Sequence, residues 1–225
     1  EGRRLPSPVF VPNGVTIPPF APDPGTKRSA RERYGIPCDA PVFANVGRLS
    51  REKRVDDFLR VASTLSRRLP TARFLVVGSG SEERALRRMA DELELGGAVS
   101  FLGIVRDMDQ LYATVDVMIH TSETETTSRV VLEAQARSVP VVASAVGGLV
   151  HLIRDGETGF LVPVGALDLF AECALSIALD PDLASRIAVT AERQVRAANR
   201  SDEMRVRVES VYRTALVSKT AARRK

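Results

Sequence analysis

Short, wholly apolar runs alternate with longer amphipathic segments between residues 41 and 163, and this alternation narrows the possible folds more than any other feature. The apolar runs are PVFANVG (41–47), ARFLVVG (72–78), AVSFLG (98–103), VDVMIHT (115–121), VPVVAS (139–144) and GFLVP (159–163). A strand that is apolar throughout is buried on both faces, as in a parallel sheet covered by helices on each side. About six such strands with right-handed crossovers predict an α/β, doubly wound, Rossmann-like domain.

The segments between and after these runs set the predicted helices and the domain limits. Helices are predicted over 27–34, 55–69, 82–95, 108–113, 128–137, 167–179, 182–197 and 203–218. Residues 1–35 contain seven prolines, which exclude a long helix, so we expect a lead-in with one short strand near 9–15. The sequence therefore predicts one domain over 36–200, followed by a C-terminal helix and basic tail over 201–225.

The charge and cysteine content argue against several classes of protein. The formal charge is +4, and the tail residues supply all of it, which leaves a neutral body; they are Lys219, Arg223, Arg224 and Lys225. Few aromatic residues lie near basic runs, so a nucleic-acid-binding domain is the weakest reading, although the tail could touch an anionic membrane. Two cysteines are too few for a disulfide framework. We expect a cytoplasmic protein, peripheral at the inner membrane face if the tail binds there, and a fragment of a longer chain because it begins without Met.

Two cations follow the first predicted strand, in GRLSREK (47–53). Arg48 and Lys53 lie near a helix start, where free backbone N–H groups and the helix dipole favour an anion. Arginine can hold a diphosphate in a bidentate manner, and lysine adds a point charge. From these residues alone, an ordinary solvated helix start is an equally good interpretation.

Glycines two positions apart follow the second predicted strand, in VVGSGSEE (76–83). Position 83 is Glu, so the third glycine of a dinucleotide-binding fingerprint is absent and NAD binding is disfavoured. Gly78 is a candidate for close backbone approach to a ligand. A tight turn before a helix capped by Ser81 explains it equally well.

Two glutamates lie in the stretch 120–148, one in a loop and one inside a predicted helix. Glu125 follows a strand, so it should lie at the carboxyl edge of the sheet, where open α/β sheets bind ligands. Glu133 stands among apolar residues and needs partners such as vicinal sugar hydroxyls, or else faces solvent. Gly147 and Gly148 either bring backbone close to a ligand or make a turn.

In their order and spacing these motifs resemble the retaining, GT-B-fold glycosyltransferases of the group 1 (family 4) type, in particular their C-terminal, donor-binding domain. The resemblance runs from about residue 9 to 179. It covers PNGV (12–15), GRLSREK (47–53), VVGSG (76–80), VSFLG (99–103), the Glu125–Glu133 frame, the stretch 140–148 and DGETGFLV (155–162).

The resemblance implies a nucleoside-diphosphate sugar donor, UDP- or GDP-linked, transfer with retention and no obligatory metal. It makes Arg48 and Lys53 ligands of the diphosphate that help the nucleotide leave, and it places Glu125 beside the transferred sugar. Glu133 would hold the ribose hydroxyls. Backbone groups would contact the base after the third strand and the sugar or phosphate after Glu125; these residues are Gly103, Ile104 and Val105, and Thr126, Thr127 and Ser128.

The chain also departs from the family pattern. Thr126, Thr127 and Ser128 stand where the family has Gly-x-Gly, Arg54 replaces a glycine, and His151 replaces an acidic residue. Nothing in 1–40 can form the N-terminal acceptor domain of the family, so we expect a fragment that is inactive alone and self-associates through exposed apolar surface. The alternative is a catalytically silent nucleotide-binding or partner-docking module.

Overall fold

A computed structural model describes residues 11, 13–18 and 24–222 of the chain. Within them six strands form one sheet: β1 (Val42–Val46), β2 (Arg73–Val77), β3 (Val99–Gly103), β4 (Val117–His120), β5 (Val141–Ser144) and β6 (Phe160–Val162). The helices are α1 (Pro24–Arg33), α2 (Val55–Arg68), α3 (Glu83–Glu92), α4 (Met108–Thr114), α5 (Arg129–Gln135), α6 (Leu149–Leu152), α7 (Leu167–Leu179), α8 (Pro181–Ala198) and α9 (Ser201–Ala222). A short 3-10 turn covers Arg51–Lys53.

The strand order β3-β2-β1-β4-β5-β6 confirms the predicted doubly wound sheet. All five strand pairs are parallel. The chain proceeds outward from β1 to β3, then returns to the centre at β4 and proceeds outward the other way. The loops after β1 and β4 therefore diverge at the centre of the sheet and leave a crevice there, which is the usual ligand position in this architecture.

Both faces of the sheet are buried, which explains why the strands are apolar throughout. Successive residues of β1 point to opposite faces, so Phe43 packs in one core with Phe58 and Phe74, while Val42 packs in the other with Leu111. Phe43 and Phe74 stack with ring centroids 5.5 Å apart. Helices α2 and α7 pack against each other on one side of the sheet, and α1 packs on α4 on the other.

An ion cluster fixes α1 at the amino edge of the sheet, opposite the crevice. The carboxylate of Asp116 accepts hydrogen bonds from Lys27 Nζ, Arg31 Nη2 and the backbone N–H of Val42, at 2.6, 2.6 and 2.7 Å. Arg31 is buried and also donates to the carbonyls of Thr114 and Cys38. Because Nε, Nη1 and Nη2 of Arg31 each donate to an oxygen, a buried guanidinium is tolerated here.

The predicted strand over 9–15 lies partly outside the described residues. Its last residue, Val15, forms a single bridge with Arg200. The Val15 N–H donates to the Asn199 carbonyl at 2.8 Å, and the Ser201 N–H donates to the Val15 carbonyl at 3.1 Å. The segment 13–18 is therefore attached to the junction between α8 and α9.

Several boundaries differ from the predictions. Helix α5 covers Arg129–Gln135 rather than 128–137, and α6 and the 3-10 turn were not predicted. The predicted cap at Ser81 is wrong, because α3 begins at Glu83 with Glu82 at the N-cap and no side-chain cap. These short elements are set by contacts between loops, which a local pattern does not encode.

None of the helices within the described residues is both long and apolar enough to cross a bilayer. The tail residues 223–225 lie outside those residues, so the membrane contact proposed for the tail stays a prediction.

Candidate ligand site at the carboxyl edge of the sheet

Two loops meet at the crevice: the β1 loop (residues 47–54) and the β4 loop (residues 121–128). The Glu123 N–H donates to the Glu52 carbonyl at 2.9 Å. The buried hydroxyls of Thr121 and Ser122 donate to the carbonyls of Arg54 and Glu52, at 2.7 and 3.1 Å. Backbone and short side chains thus hold the two loops edge to edge, and this contact positions the side chains that they carry.

Lys53 and Glu125, which the sequence analysis placed in separate motifs, are in direct contact. Lys53 Nζ lies 2.6 Å from Glu125 Oε1, although 72 positions separate them in the chain. His120, the last residue of β4, brings Nε2 to 2.8 Å from the same oxygen. The side chain of Glu125 is 9 % exposed and that of Lys53 24 % exposed, so the pair is shielded without being closed off.

The environment of Glu125 keeps its carboxyl ionised. Burial acts to raise the pKa of Glu125, but hydrogen bonds from His120 and Lys53, together with the positive charge of Lys53, outweigh it and lower the pKa to about 2. A partly buried carboxylate with two strong donors is stabilised in its charged form. Glu125 is therefore an anion at any pH near neutral and accepts, rather than donates, hydrogen bonds.

The double glycine after β5 supports the β4 loop from below. A Cβ on Gly147 would lie 1.8 Å from the Glu125 carbonyl oxygen, and one on Gly148 would lie 1.7 Å from that of Thr126. The Gly148 N–H donates to the Glu125 carbonyl at 3.0 Å. These glycines let the turn after β5 come close to the backbone of the loop that carries Glu125. The sequence offered a close approach to a ligand or a simple turn, and the contact described here is between a turn and a loop of the protein.

Gly78 has the same role beneath the β1 loop. It adopts φ 127°, and a Cβ there would lie 1.8 Å from the Gly47 carbonyl oxygen. Gly80 approaches the Leu49 carbonyl equally closely, at 2.1 Å for a Cβ. Both glycines of the incomplete fingerprint therefore support the loop that carries Arg48, whose side chain is exposed.

Arg54, which stands where the family pattern has glycine, adopts the left-handed conformation with φ 46° and ψ 46°. That conformation disfavours a residue with a Cβ by roughly 1–2 kcal/mol. Arg54 Nε donates to Asp57 Oδ2 at 2.6 Å, and Nη1 lies 3.6 Å from Glu123 Oε2. The side chain thus ties the start of α2 to the β4 loop, and these contacts offset the strain.

The segment that departs from Gly-x-Gly becomes more buried along its length. Thr126 is exposed, Thr127 is partly buried and Ser128 is buried as the N-cap residue of α5. The Ser128 Oγ lies 3.4 Å from His120 Nε2. Thr126 and Thr127 are therefore more accessible to a ligand than Ser128.

Glu133 lies on α5, one helical turn after Arg129. Its carboxylate is 3.4 Å from the exposed Arg129 guanidinium, and its side chain is 21 % exposed. Arg137 donates to the backbone carbonyl of Glu133. The carboxylate of Glu133 lies at a partly open surface. The structure thus favours neither a fully buried nor a fully solvated glutamate at this position.

Residues 103–105 follow from the end of β3, at the same edge of the sheet, two strands from β1 and three from β4. Gly103 ends β3 with φ 64°, Ile104 is 77 % exposed and Val105 is partly buried. The Gly78 N–H donates to the Gly103 carbonyl at 2.7 Å, which links this end to the β1 loop. At about 4.8 Å per strand, β3 is roughly 10 Å from β1 and 15 Å from β4.

His120 is the site residue that sequence reasoning missed. It stood in the sequence as one of two histidines, with no sign of a partner. Its place at a strand end, five residues before a loop glutamate, was the only available signal. His151, by contrast, is exposed in the last turn of α6. Among the residues that the structure describes, His, Cys, Asp and Glu side chains do not gather in threes that could hold a metal ion.

Comparison with known proteins identifies the family. The sequence model described as Glycosyl transferases group 1 matches residues 26–194. A relative named D-inositol 3-phosphate glycosyltransferase, from Saccharomonospora viridis, is 36% identical over 184 residues, which cover 77% of this chain and 42% of the relative. The chain therefore spans less than half the length of that relative.

Solved structures share the fold. The structure of Anabaena Alr3699/HepE in complex with UDP-glucose has a TM-score of 0.84 and 25% identity, covering 91% of this chain and 57% of that one. The C-terminal domain of a glycosyl transferase group 1 family protein (LpcC) from Francisella tularensis has a TM-score of 0.74 and 20% identity. This chain covers the whole of that structure with 84% of its own length.

The lowered pKa of Glu125 makes the stability of the fold depend on pH. Its folded pKa lies below the ordinary value of 4.5, so the contribution is present above that value and is lost as the pH falls toward 2. We expect wild type to be more stable than Glu125→Gln by up to about 3 kcal/mol near neutral pH. The difference should shrink between about pH 5 and pH 2, measured by urea unfolding.

The matched control is Glu157→Gln, which alters a carboxylate whose side chain is 63 % exposed. Its unfolding free energy should follow wild type at every pH, because exposed ion pairs contribute little. A difference between wild type and Glu125→Gln that stayed constant down to acid pH would contradict the assignment.

Proposed function

Because the chain belongs to the group 1 glycosyl transferases, we propose that it is the donor-binding half of a retaining, hexosyltransferase-like member of that group. In this proposal it binds a nucleoside-diphosphate sugar whose sugar passes to an acceptor. The single observation that carries the proposal is the meeting of Lys53 and Glu125 in the central crevice, 2.6 Å apart. In this proposal the Lys53 ammonium lies beside the diphosphate, and the Glu125 carboxylate lies beside the sugar that is joined to it.

The diphosphate would be held by Arg48 and Lys53. Both belong to the β1 loop, whose shape is fixed by the glycines beneath it, and Arg48 is exposed. The Lys53 ammonium is 24 % exposed on a flexible side chain, so it can turn from Glu125 to a phosphate. Charge-assisted hydrogen bonds to phosphate are stronger than neutral ones, so these two side chains should dominate the affinity.

The remaining parts of the donor would extend along the edge of the sheet. Glu133 would accept hydrogen bonds from the ribose hydroxyls, and backbone groups of Gly103, Ile104 and Val105 would contact the base. Glu125, with Thr126 and Thr127, would lie beside the sugar. The distance of roughly 10–15 Å from β3 to β1 and β4 suits an elongated ligand. The related Anabaena protein was solved with UDP-glucose, so we propose UDP as the first nucleotide to test, ahead of GDP.

Transfer itself is proposed only for this half together with an N-terminal acceptor domain. The relative from Saccharomonospora viridis is more than twice as long as the matched region. In our proposal no metal is obligatory, because Arg48 and Lys53 supply the positive charge that the departing diphosphate needs. A catalytically silent nucleotide-binding module is the alternative, and sugar transfer restored by a separately produced N-terminal half would exclude it.

We also propose that the isolated chain self-associates weakly through α9. Apolar side chains of this helix are solvent-facing, with Val206 61 % and Tyr212 68 % exposed. Sedimentation velocity over a range of concentrations should show a weight-average coefficient that rises with concentration. A variant with Val206→Ser and Tyr212→Ser should rise less, and a wild type that sediments as a monomer throughout would refute the proposal.

Removal of the lysine charge tests the diphosphate assignment. We expect Lys53→Ala to bind UDP about 10- to 100-fold more weakly than wild type in calorimetry, because a charge-assisted hydrogen bond is lost. The control Arg88→Ala removes one positive charge from the exposed face of α3, and its affinity should equal that of wild type. Equal affinities for all three proteins would sink the assignment.

The ribose assignment is tested by removing a hydroxyl from the ligand and a charge from the protein. Wild type should prefer UDP to 2′-deoxy-UDP by about tenfold or more, since a carboxylate partner would be left unpaired. In Glu133→Gln this preference should shrink toward unity, while Glu157→Gln should keep it. If Glu133→Gln discriminates as well as wild type, the ribose lies elsewhere.

A further inference from the structure

His120 and Lys53 share one oxygen of Glu125. Lys53 Nζ approaches Oε1 at 2.6 Å and His120 Nε2 approaches it at 2.8 Å. A carboxylate only accepts, so the imidazole carries its proton on Nε2 and donates it to Glu125. Nδ1 is then the nitrogen left to accept a second proton.

The two partners of Glu125 differ in freedom. His120 is 3 % exposed and belongs to a central strand, whose backbone is hydrogen-bonded on both sides. Lys53 extends from a loop on a flexible side chain that is 24 % exposed. A phosphate arriving in the crevice can therefore draw away the lysine, whereas the histidine stays.

Loss of Lys53 would leave a poorly solvated carboxylate whose remaining side-chain partner is His120. The Glu125 side chain is only 9 % exposed, so water solvates it poorly once the ammonium has left. Histidine is the side chain whose ordinary pKa lies closest to neutrality, and an adjacent unpaired carboxylate favours the imidazolium. Proton uptake by the ring is the smallest change that restores the charge balance.

The other polar groups packed on this strand end carry no charge. Ser128 Oγ lies 3.4 Å from His120 Nε2, and Ser144 Oγ lies 3.5 Å from the His120 carbonyl oxygen. From β1, Asn45 donates to the Ile119 carbonyl at 2.8 Å. Within the described residues, the charged groups in contact here are thus Lys53, from the β1 loop, and Glu125, from the β4 loop.

We propose that His120 is a positioning residue that keeps Glu125 oriented and charge-balanced after a donor diphosphate takes Lys53, and that its imidazole takes up one proton from solvent in doing so. This inference rests on the proposed function, since it needs Lys53 to engage the diphosphate. The proton adds to Nδ1 and the Nε2–H bond to Glu125 is kept. The carboxylate therefore stays in place beside the sugar when its first partner leaves.

The direct test is calorimetry of UDP binding at neutral pH in buffers of different ionisation enthalpy. The slope of observed enthalpy against buffer ionisation enthalpy gives the protons taken up. We expect wild type to take up more than His120→Gln, by a fraction approaching one proton. Glutamine keeps a donor near the Nε2 position but cannot be protonated. Proton exchange by the nucleotide is common to both proteins and cancels in the difference.

The second histidine provides a matched control, because the chain has only two. His151→Gln changes an exposed ring on α6 and should leave the uptake at the wild-type value. Equal uptake in wild type and His120→Gln, with UDP bound by both, would overturn this inference and leave the proposed function intact. Failure of wild type to bind UDP or GDP would overturn both.

A measurement without nucleotide covers the case in which His120→Gln does not fold. Lys53→Met removes the ammonium while keeping the length of the side chain. Since the chain has two histidines, the imidazole C2 proton signal that remains in the NMR spectrum of His151→Gln belongs to His120. In Lys53→Met at neutral pH this signal should shift toward the imidazolium position. A resonance identical to that of wild type would show that the ring does not respond to the loss of Lys53, and the inference would fail.

Discussion

The contact between the β1 and β4 loops is the constraint on which the rest of this site depends. The two loops follow adjacent, parallel central strands, after which the chain proceeds toward opposite edges of the sheet, and they leave a crevice where they meet. Hydroxyls of Thr121 and Ser122 and one backbone hydrogen bond join them. One pair of glycines lies beneath each loop. Because glycine has no side chain, the backbone of the turn packs directly against the backbone of the loop. Such backbone-to-backbone packing fixes the backbone positions of Lys53 and Glu125 before any ligand binds.

The charges at the crevice are matched within the chain. Glu125 is paired with Lys53 and hydrogen-bonded to His120, and Arg54 is paired with the buried Asp57. Arg48 is exposed in the same loop. An anion that engages Lys53 must therefore compete with the Glu125 carboxylate for it. Selectivity follows, because a ligand gains from Lys53 only if it binds that ammonium better than Glu125 does.

The fold was predictable because its signal is local and repeated. Each buried strand is apolar on both faces, so β1 to β6 could be located from the sequence alone, and right-handed crossovers between them predicted a doubly wound sheet. Lys53 and Glu125 could each be selected as candidates, since both follow strands. Their contact could not be predicted, because 72 positions separate them. His120 was missed for the same reason: its partners come from two loops, and nothing in VDVMIHT distinguishes it from a buried strand residue. Gly78 and Gly147 were recognised as unusual, but only the loops above them show what they accommodate.

The bridge between Val15 and Arg200 has a consequence for how this domain can be shared among proteins. Everything that forms the sheet and the crevice lies between two residues that are neighbours in space. A unit whose entry and exit coincide can be inserted into another chain, or circularly permuted, at one place on its surface and without altering its core. In evolutionary terms, the crevice can be recombined with different companion domains while its own geometry is inherited unchanged.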